Sequence, residues 1–334
     1  MWSHRSGTDR RPSSVGDSGK GCDSLNSDVL LRATARDGRI RLFTCVTTDL
    51  VSEMQRRHDT WPVPTAALGR TASITAMMAC MLKNEESVTV KIDGDGPIGQ
   101  IWVEASPNGD VRGYVDNPHV HLPLNSVGKL DVGGAVGRGY LYVIRDTGLR
   151  DYYTSSSELQ SGEIADDFTY YFATSEQTPS AVGAGVLVGT DNRPIVAGGF
   201  LAQLLPDHTE DDIRYLEERL QQVPSVTNFL QNHPSAEALM LQLCPDAHIV
   251  ERRSIQFQCK CSYERLGRVM ISLGREELEA IRRETGSAEL VCHFCGNVYN
   301  FSAEQLDEMI QGITDSQGGS EAADRPQSER GDAQ

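Results

Sequence analysis

Three absences frame this 334-residue chain. No segment approaches the roughly 18 consecutive apolar residues of a membrane-spanning helix, so an integral helical membrane protein is excluded. The N-terminus carries no apolar block of the secretory kind, which makes the cytoplasm the expected compartment. Basic residues are not in surplus: 31 Lys and Arg stand against 47 Asp and Glu, a formal net charge of −16. Polyanion binding draws on excess Lys and Arg at the contact face, so neither nucleic acid nor membrane is the expected partner.

What is present is enough apolar residue, 39%, for at least one sizeable core in a chain long enough for two domains. In a reducing compartment, clustered cysteines are metal ligands or redox sensors before they are structural disulfides. Four of the eight cysteines form one pattern: Cys259-Lys260-Cys261, then thirty residues, then Cys292-His293-Phe294-Cys295. Two close pairs of thiolates are what a tetrahedral zinc ion takes, with Zn–S bonds of about 2.3 Å. Gly296 completes a knuckle at the second pair, where a left-handed residue lets amides point at sulfur. The one-residue spacer of the first pair is tighter than the usual two to four. Cys22, Cys45, Cys80 and Cys244 have no near partner in sequence, and Cys45 and Cys80 are expected as small core residues.

Along the chain, residues 1–27 are Ser, Gly, Arg and Asp without apolar periodicity and are expected to be disordered. Two strands, 29–34 and 40–46, flank the hairpin signal Arg36-Asp37-Gly38-Arg39. A short helix bears Leu50, Val51 and Met54. Pro62 and Pro64 are expected to break the chain before a small-residue helix over 65–83. Strands at 87–92, 101–105 and 111–115 form an antiparallel meander. Between the first two, Gly94-Asp95-Gly96-Pro97-Ile98-Gly99 matches a dinucleotide fingerprint in form only. That motif needs a helix behind its glycines, whereas a strand follows here, so a glycine-rich hairpin is expected. Gly133, Gly134, Gly137 and Gly139 lead into a strand over 140–146, and a capped helix is expected within 162–172. Of Asp166 and Asp167, one should be a solvated carboxylate and the other a cap. His119 and His121 lack a third ligand. Strands at 182–188 and 194–205 close the unit.

Beyond Pro206 the pattern turns helical and polar, with Leu216, Leu220, Leu239 and Leu243 on short stripes broken at Pro224, Pro234 and Pro245. Such a segment should have low stability of its own. Helices are expected after the first cysteine pair, at Leu266 to Leu273 and around Leu278 and Ile281. A last one is capped by Ser302 and Gln305 and runs through Leu306 and Ile310. From Asp315 the composition is that of a disordered tail.

In this order the chain resembles the heat shock protein 33 family of redox-regulated holdase chaperones. The resemblance covers about 28–312 and is carried by Gly94-Asp95-Gly96-Pro97, by Glu176-Gln177-Thr178-Pro179-Ser180, by Ala197-Gly198-Gly199-Phe200 and by the two cysteine pairs. It implies an α+β protein: a mixed α/β core domain with antiparallel sheet (28–205), a helical linker (206–255) and a small zinc-binding redox-switch domain (256–314). An extension (1–27) and a tail (315–334) flank these. It further implies no enzymatic activity and one Zn2+ held by Cys259, Cys261, Cys292 and Cys295 in an inactive reduced form. Oxidation to disulfides with zinc release would free surfaces for unfolded client proteins, and the oxidised protein would be a homodimer.

The chemistry of the residues agrees with that mechanism. Zinc keeps thiols as thiolates, the form oxidants attack, and oxidation would join each close pair, although four cysteines allow three connectivities. A small domain folded largely by its metal, worth on the order of 10 kcal/mol, then lacks the core to stay folded. The linker beside it would lose a packing partner and bare Leu216, Leu220, Leu239 and Leu243. Two other readings compete. Lys260, Arg265, Arg268 and Arg275 near the cysteines suit a nucleic-acid-binding zinc ribbon, against the overall acidity. A metallohydrolase wants three ligands and a water, and His293 would enter only by displacing a cysteine.

Overall fold

Strand β1 (Val29–Ala35) meets β2 (Ile40–Val46) through a turn in which Arg36, Asp37 and Gly38 all have positive φ, as the hairpin signal implies. The computed structural model describes residues 28–83, 85–148, 152–223 and 225–318. The expected disordered extension with Cys22, the break at Pro224 and most of the tail lie outside the described residues.

Helices α1 (Thr48–His58) and α2 (Pro62–Ala79) follow. The second begins earlier than expected. Pro62 and Pro64 sit in its first turn, where an absent amide hydrogen costs nothing, so they start the helix rather than precede it. Its small side chains let it lie buried between two sheets. The chain continues through β3 (Ser87–Gly94), β4 (Gln100–Ala105), β5 (Asp110–Val115), the short α3 (Val132–Val136), β6 (Gly139–Asp146) and β7 (Tyr153–Glu158). It then passes through α4 (Ala165–Thr174), β8 (Ser180–Val188) and β9 (Pro194–Leu204).

Next come α5 (Glu210–Leu220), α6 (Val226–Asn232) and α7 (Ala236–Leu243), then β10 (His248–Ser254) and β11 (Gln256–Phe257). The C-terminal part holds α8 (Tyr263–Ser272), α9 (Arg275–Glu284), the hairpin β12 (Ala288–Val291) and β13 (Val298–Phe301), and α10 (Ala303–Gly318). Helix α10 therefore runs four residues into the segment expected to be disordered.

The strands form a five-stranded sheet in the order β10-β1-β2-β9-β8 and a six-stranded sheet in the order β11-β5-β4-β3-β6-β7. All pairings are antiparallel except β11 with β5, a two-residue parallel contact. One core, with Phe43, Met54, Leu68, Ile74 and Phe168, fills the space between the sheets around α2. A second lies on the far face of the five-stranded sheet, where Leu216, Leu230, Leu239, Met240 and Leu243 of α5–α7 cover Leu31, Leu42 and Ala202. A third is small: Met270, Leu278, Phe301, Leu306 and Ile310. Cys45 and Cys80 are buried, and burial pushes their thiols up to about 12 and about 11.

Both glycine clusters serve one junction. The Gly94–Gly99 hairpin is hydrogen-bonded to the α3 turn, Gly96 N to Val136 O at 2.9 Å and Ile98 N to Ala135 O at 3.1 Å. A Cβ at Gly94 would lie 1.9 Å from the Val136 carbonyl oxygen, so side chains are excluded there. Asp167 is the expected cap: buried, it accepts from the amides of Gln160, Ser161 and Ile164, while Asp166 bonds the exposed Ser161 hydroxyl. One expectation fails in part. The segment 206–255 is not helical throughout, because β10 pairs with β1 at the sheet edge. Most β10 side chains are exposed on both faces, so it shows no apolar alternation.

Candidate metal centre

The two cysteine pairs are brought together by two loops of opposite origin. Cys259 and Cys261 lie on the extended chain between β11 and α8, held at one end by β11 on β5 and at the other by Ser262, which caps α8. Cys292 and Cys295 sit in the turn of the β12–β13 hairpin. There Cys292 N donates to Asn297 O at 2.9 Å and Gly296 N to Cys292 O at 2.8 Å. Gly296 has φ +71°, the left-handed conformation the knuckle reading required.

The four sulfurs all lie within 4.8 Å of one another, with Cys259 and Cys292 at 3.7 Å and Cys261 and Cys295 at 3.3 Å. Ligand atoms 2.3 Å from a tetrahedral ion stand about 3.8 Å apart, so this donor set fits a zinc-like metal to within about 1 Å. Among the described residues it is the one such cluster of three or more. His119 instead packs at a tilt against Trp61, ring centroids 5.5 Å apart, and bonds Asp59 at 3.0 Å.

Amides support the sulfurs from within the module. The amides of Phe294 and Cys295 point at the Cys292 sulfur, and that of Asn297 at Cys295. Burial pushes Cys292 and Cys295 up. At Cys259 burial also pushes upward, but the Cys261 amide, the Arg112 guanidinium and the neighbouring thiols outweigh it, leaving about 7.

Two supporting residues were not foreseen from the sequence. Tyr299, on β13, donates its hydroxyl to Cys261 Sγ at 3.1 Å. Arg112, on β5 of the six-stranded sheet, donates to Cys259 Sγ at 3.5 Å and to Glu104 at 2.7 Å. Tyr299 follows Cys295 closely enough to be suspected; Arg112 lies 147 positions from Cys259, and no local pattern signals it. The same core face holds the knuckle. Arg112 lies 4.2 Å from the Phe294 ring centroid, and Tyr114 meets Phe294 edge to face at 5.3 Å. His58 Nε2 donates to the Phe294 carbonyl at 3.1 Å.

A mixed α/β structure whose C-terminal module gathers four thiols round one point defines a class of protein with a four-cysteine module able to hold a metal ion beside a separate apolar core. The comparisons sharpen that class. The family model described as Hsp33 protein matches residues 28–302. The 33 kDa chaperonin of Geobacillus kaustophilus is 49% identical over 287 residues, covering 85% of this chain and 98% of that protein. That of Bacillus velezensis is 47% identical over 286 residues, covering 84% and 98%. The crystal structure of the 33 kDa chaperonin of Thermotoga maritima superposes with a TM-score of 0.80 at 34% identity, over 86% of this chain and 99% of that one. The chain belongs to the Hsp33 family of chaperones.

Proposed function

We propose that this protein is a redox-regulated, ATP-independent holdase that protects unfolding cytoplasmic proteins during oxidative stress and is not an enzyme. The single observation that carries the reading is the convergence of Cys259, Cys261, Cys292 and Cys295 on one point in a module whose hydrophobic cluster, among the described residues, has five buried side chains. When bound there, Zn2+ would hold the four sulfurs as thiolates and supply most of the module's folding free energy.

The residues then act as a switch. A thiolate attacks a peroxide or hypochlorous acid and becomes a sulfenic acid, the oxidant leaving as hydroxide or chloride. A second thiolate displaces hydroxide from that sulfur and forms the disulfide. Cys259 with Cys261 and Cys292 with Cys295 are the proposed pairs, and peptide mapping of the oxidised protein tests them. Bridged sulfurs are poor metal donors, so the module (256–314) loosens. The linker (206–255) loses its neighbour and bares Leu216, Leu220, Leu239 and Leu243 to unfolded clients, and oxidised subunits pair as a homodimer.

The zinc-ribbon alternative is weakened by the pairing of Arg275 with Glu279 and by the net charge of −16. The test follows zinc release and client light scattering together as peroxide is added with mild heat. Aggregation should be suppressed only as zinc appears in solution. A reduced, metal-loaded protein that holds clients better would overturn the reading.

A further inference from the structure

Phe294 belongs to the zinc knuckle by sequence, yet its side chain is gripped by the core. Arg112 covers one face of the ring and Tyr114 meets it edge on, while His58 takes its carbonyl and Arg57 Nη1 donates to the Cys295 carbonyl at 3.5 Å. None of these four contacts depends on anything peculiar to the module. They seize an aromatic ring and two successive main-chain carbonyls, which any unfolded chain with an aromatic residue offers.

The notch also continues. Across the outer face of the six-stranded sheet, Tyr114 is the cross-strand partner of Trp102, Trp102 of Lys91, and Lys91 of Tyr142. Lys91 Nζ lies 5.3 Å from the Trp102 ring and 5.5 Å from that of Tyr142. Tyr140, 45% exposed, extends the row at 6.1 Å from Tyr142. Half-buried aromatic faces beside a cation, itself paired with Asp93 at 2.6 Å, can take the rings of a peptide by edge-to-face and cation–π contact.

We propose that this aromatic row is a client-binding surface of the core, that its ligands are aromatic side chains of unfolded polypeptide, and that Phe294 is a resident stand-in closing its Tyr114 end. The proposal rests on the holdase reading and assigns it a recognition site distinct from the leucines of the linker. When the module leaves the core, the notch that Phe294 vacates joins the rest of the row into one uninterrupted site.

The test measures fluorescence anisotropy of a labelled Gly/Ser peptide carrying three phenylalanines, against the same peptide with serines in their place, on the full-length protein. Oxidised wild type should bind the phenylalanine peptide at least tenfold more tightly than the serine one. Tyr114→Ser and, separately, Trp102→Ser should each weaken the oxidised complex by about tenfold. Phe294→Ser, reduced and with its zinc content verified, should bind the peptide without oxidation. Photo-crosslinking from a benzoylphenylalanine peptide to oxidised wild type covers the case of a variant that misfolds. Crosslinks to 102–114 support the proposal, and crosslinks confined to 210–243 overturn it. Unchanged affinity in folded Tyr114→Ser and Trp102→Ser also overturns it while leaving the switch intact. An oxidised wild type that protects no client at all would instead remove the holdase reading beneath it.

Discussion

Helix α5 is fastened to the core chiefly by one buried carboxylate, beside a more exposed pair of Asp211 with Arg36 at 2.6 Å, and removal of the buried group gives a direct handle on the linker. The Asp212 side chain is fully buried, accepting from Arg36 Nε and Arg39 Nε, both at 2.8 Å, from the β1–β2 turn. It also accepts from the Thr209 amide at 2.9 Å, closing the N-terminal cap of α5. Burial opposes its charge, but the two guanidinia and Thr209 prevail and hold it well below the usual carboxylate range. Breaking a buried ion pair costs about 3–5 kcal/mol; because both guanidinia are 28% exposed, about 2–4 kcal/mol is expected for Asp212→Ala. The apolar anchorage of α5 is Leu216 with the half-buried Ile213, Tyr215 and Leu220, worth a similar amount. Helices α6 and α7 keep Leu230, Leu239, Met240 and Leu243 and should stay seated. Amide hydrogen exchange over 210–222 in the reduced, metal-loaded variant should therefore quicken roughly 30- to 1000-fold, with α7 unchanged. Asp212→Asn, which keeps one acceptor, should fall between. The reasoning is refuted if α5 exchanges within threefold of wild type in Asp212→Ala while Leu216→Ala accelerates it.

Three further outcomes are expected. Tyr299→Phe deletes the hydroxyl that donates to Cys261 and should lower zinc affinity roughly 10- to 100-fold in chelator competition; an unchanged affinity would show the hydroxyl to be idle. Leu239→Ala, at a fully buried position, should cost about 2–5 kcal/mol in urea unfolding, and a cost below 1 would mean α7 is not seated as described. Burial raises Asp28 to about 7 against the amides of Leu50 and Asp49, so between about pH 4 and 7 the folded chain keeps a proton the unfolded chain has lost. Stability should fall as pH rises through that window, by about 4 kcal/mol at most, and thermal melts at pH 5 and pH 8 should show the slope vanish in Asp28→Asn.

Much of this was legible in the sequence because its signals are local. The turn at Arg36 to Arg39, the hairpin at Gly94 to Gly99, the cap at Asp167 and the box of Ser302 with Gln305 are each decided within a few residues. The cysteine pattern is local in the same way, since each pair is set by its own loop. The start of α2 was misplaced because proline carries two opposite meanings, and only the position within the first turn distinguishes them. Strands β7 and β10 were missed because edge strands with solvent on their faces show no apolar alternation. Arg112 and Tyr114 stayed invisible as partners of the knuckle because only the packing of module on sheet brings them there.

The central claim is that residues 256–314 stay folded only while their four thiols converge on a metal. The most direct measurement is hydrogen exchange of that segment in the reduced, zinc-loaded protein and again after the metal is stripped and the thiols bridged. Protection in α8–α10 and β12–β13 should collapse while α2 and the two sheets around it keep theirs. A module that remains protected after both treatments would contradict the account.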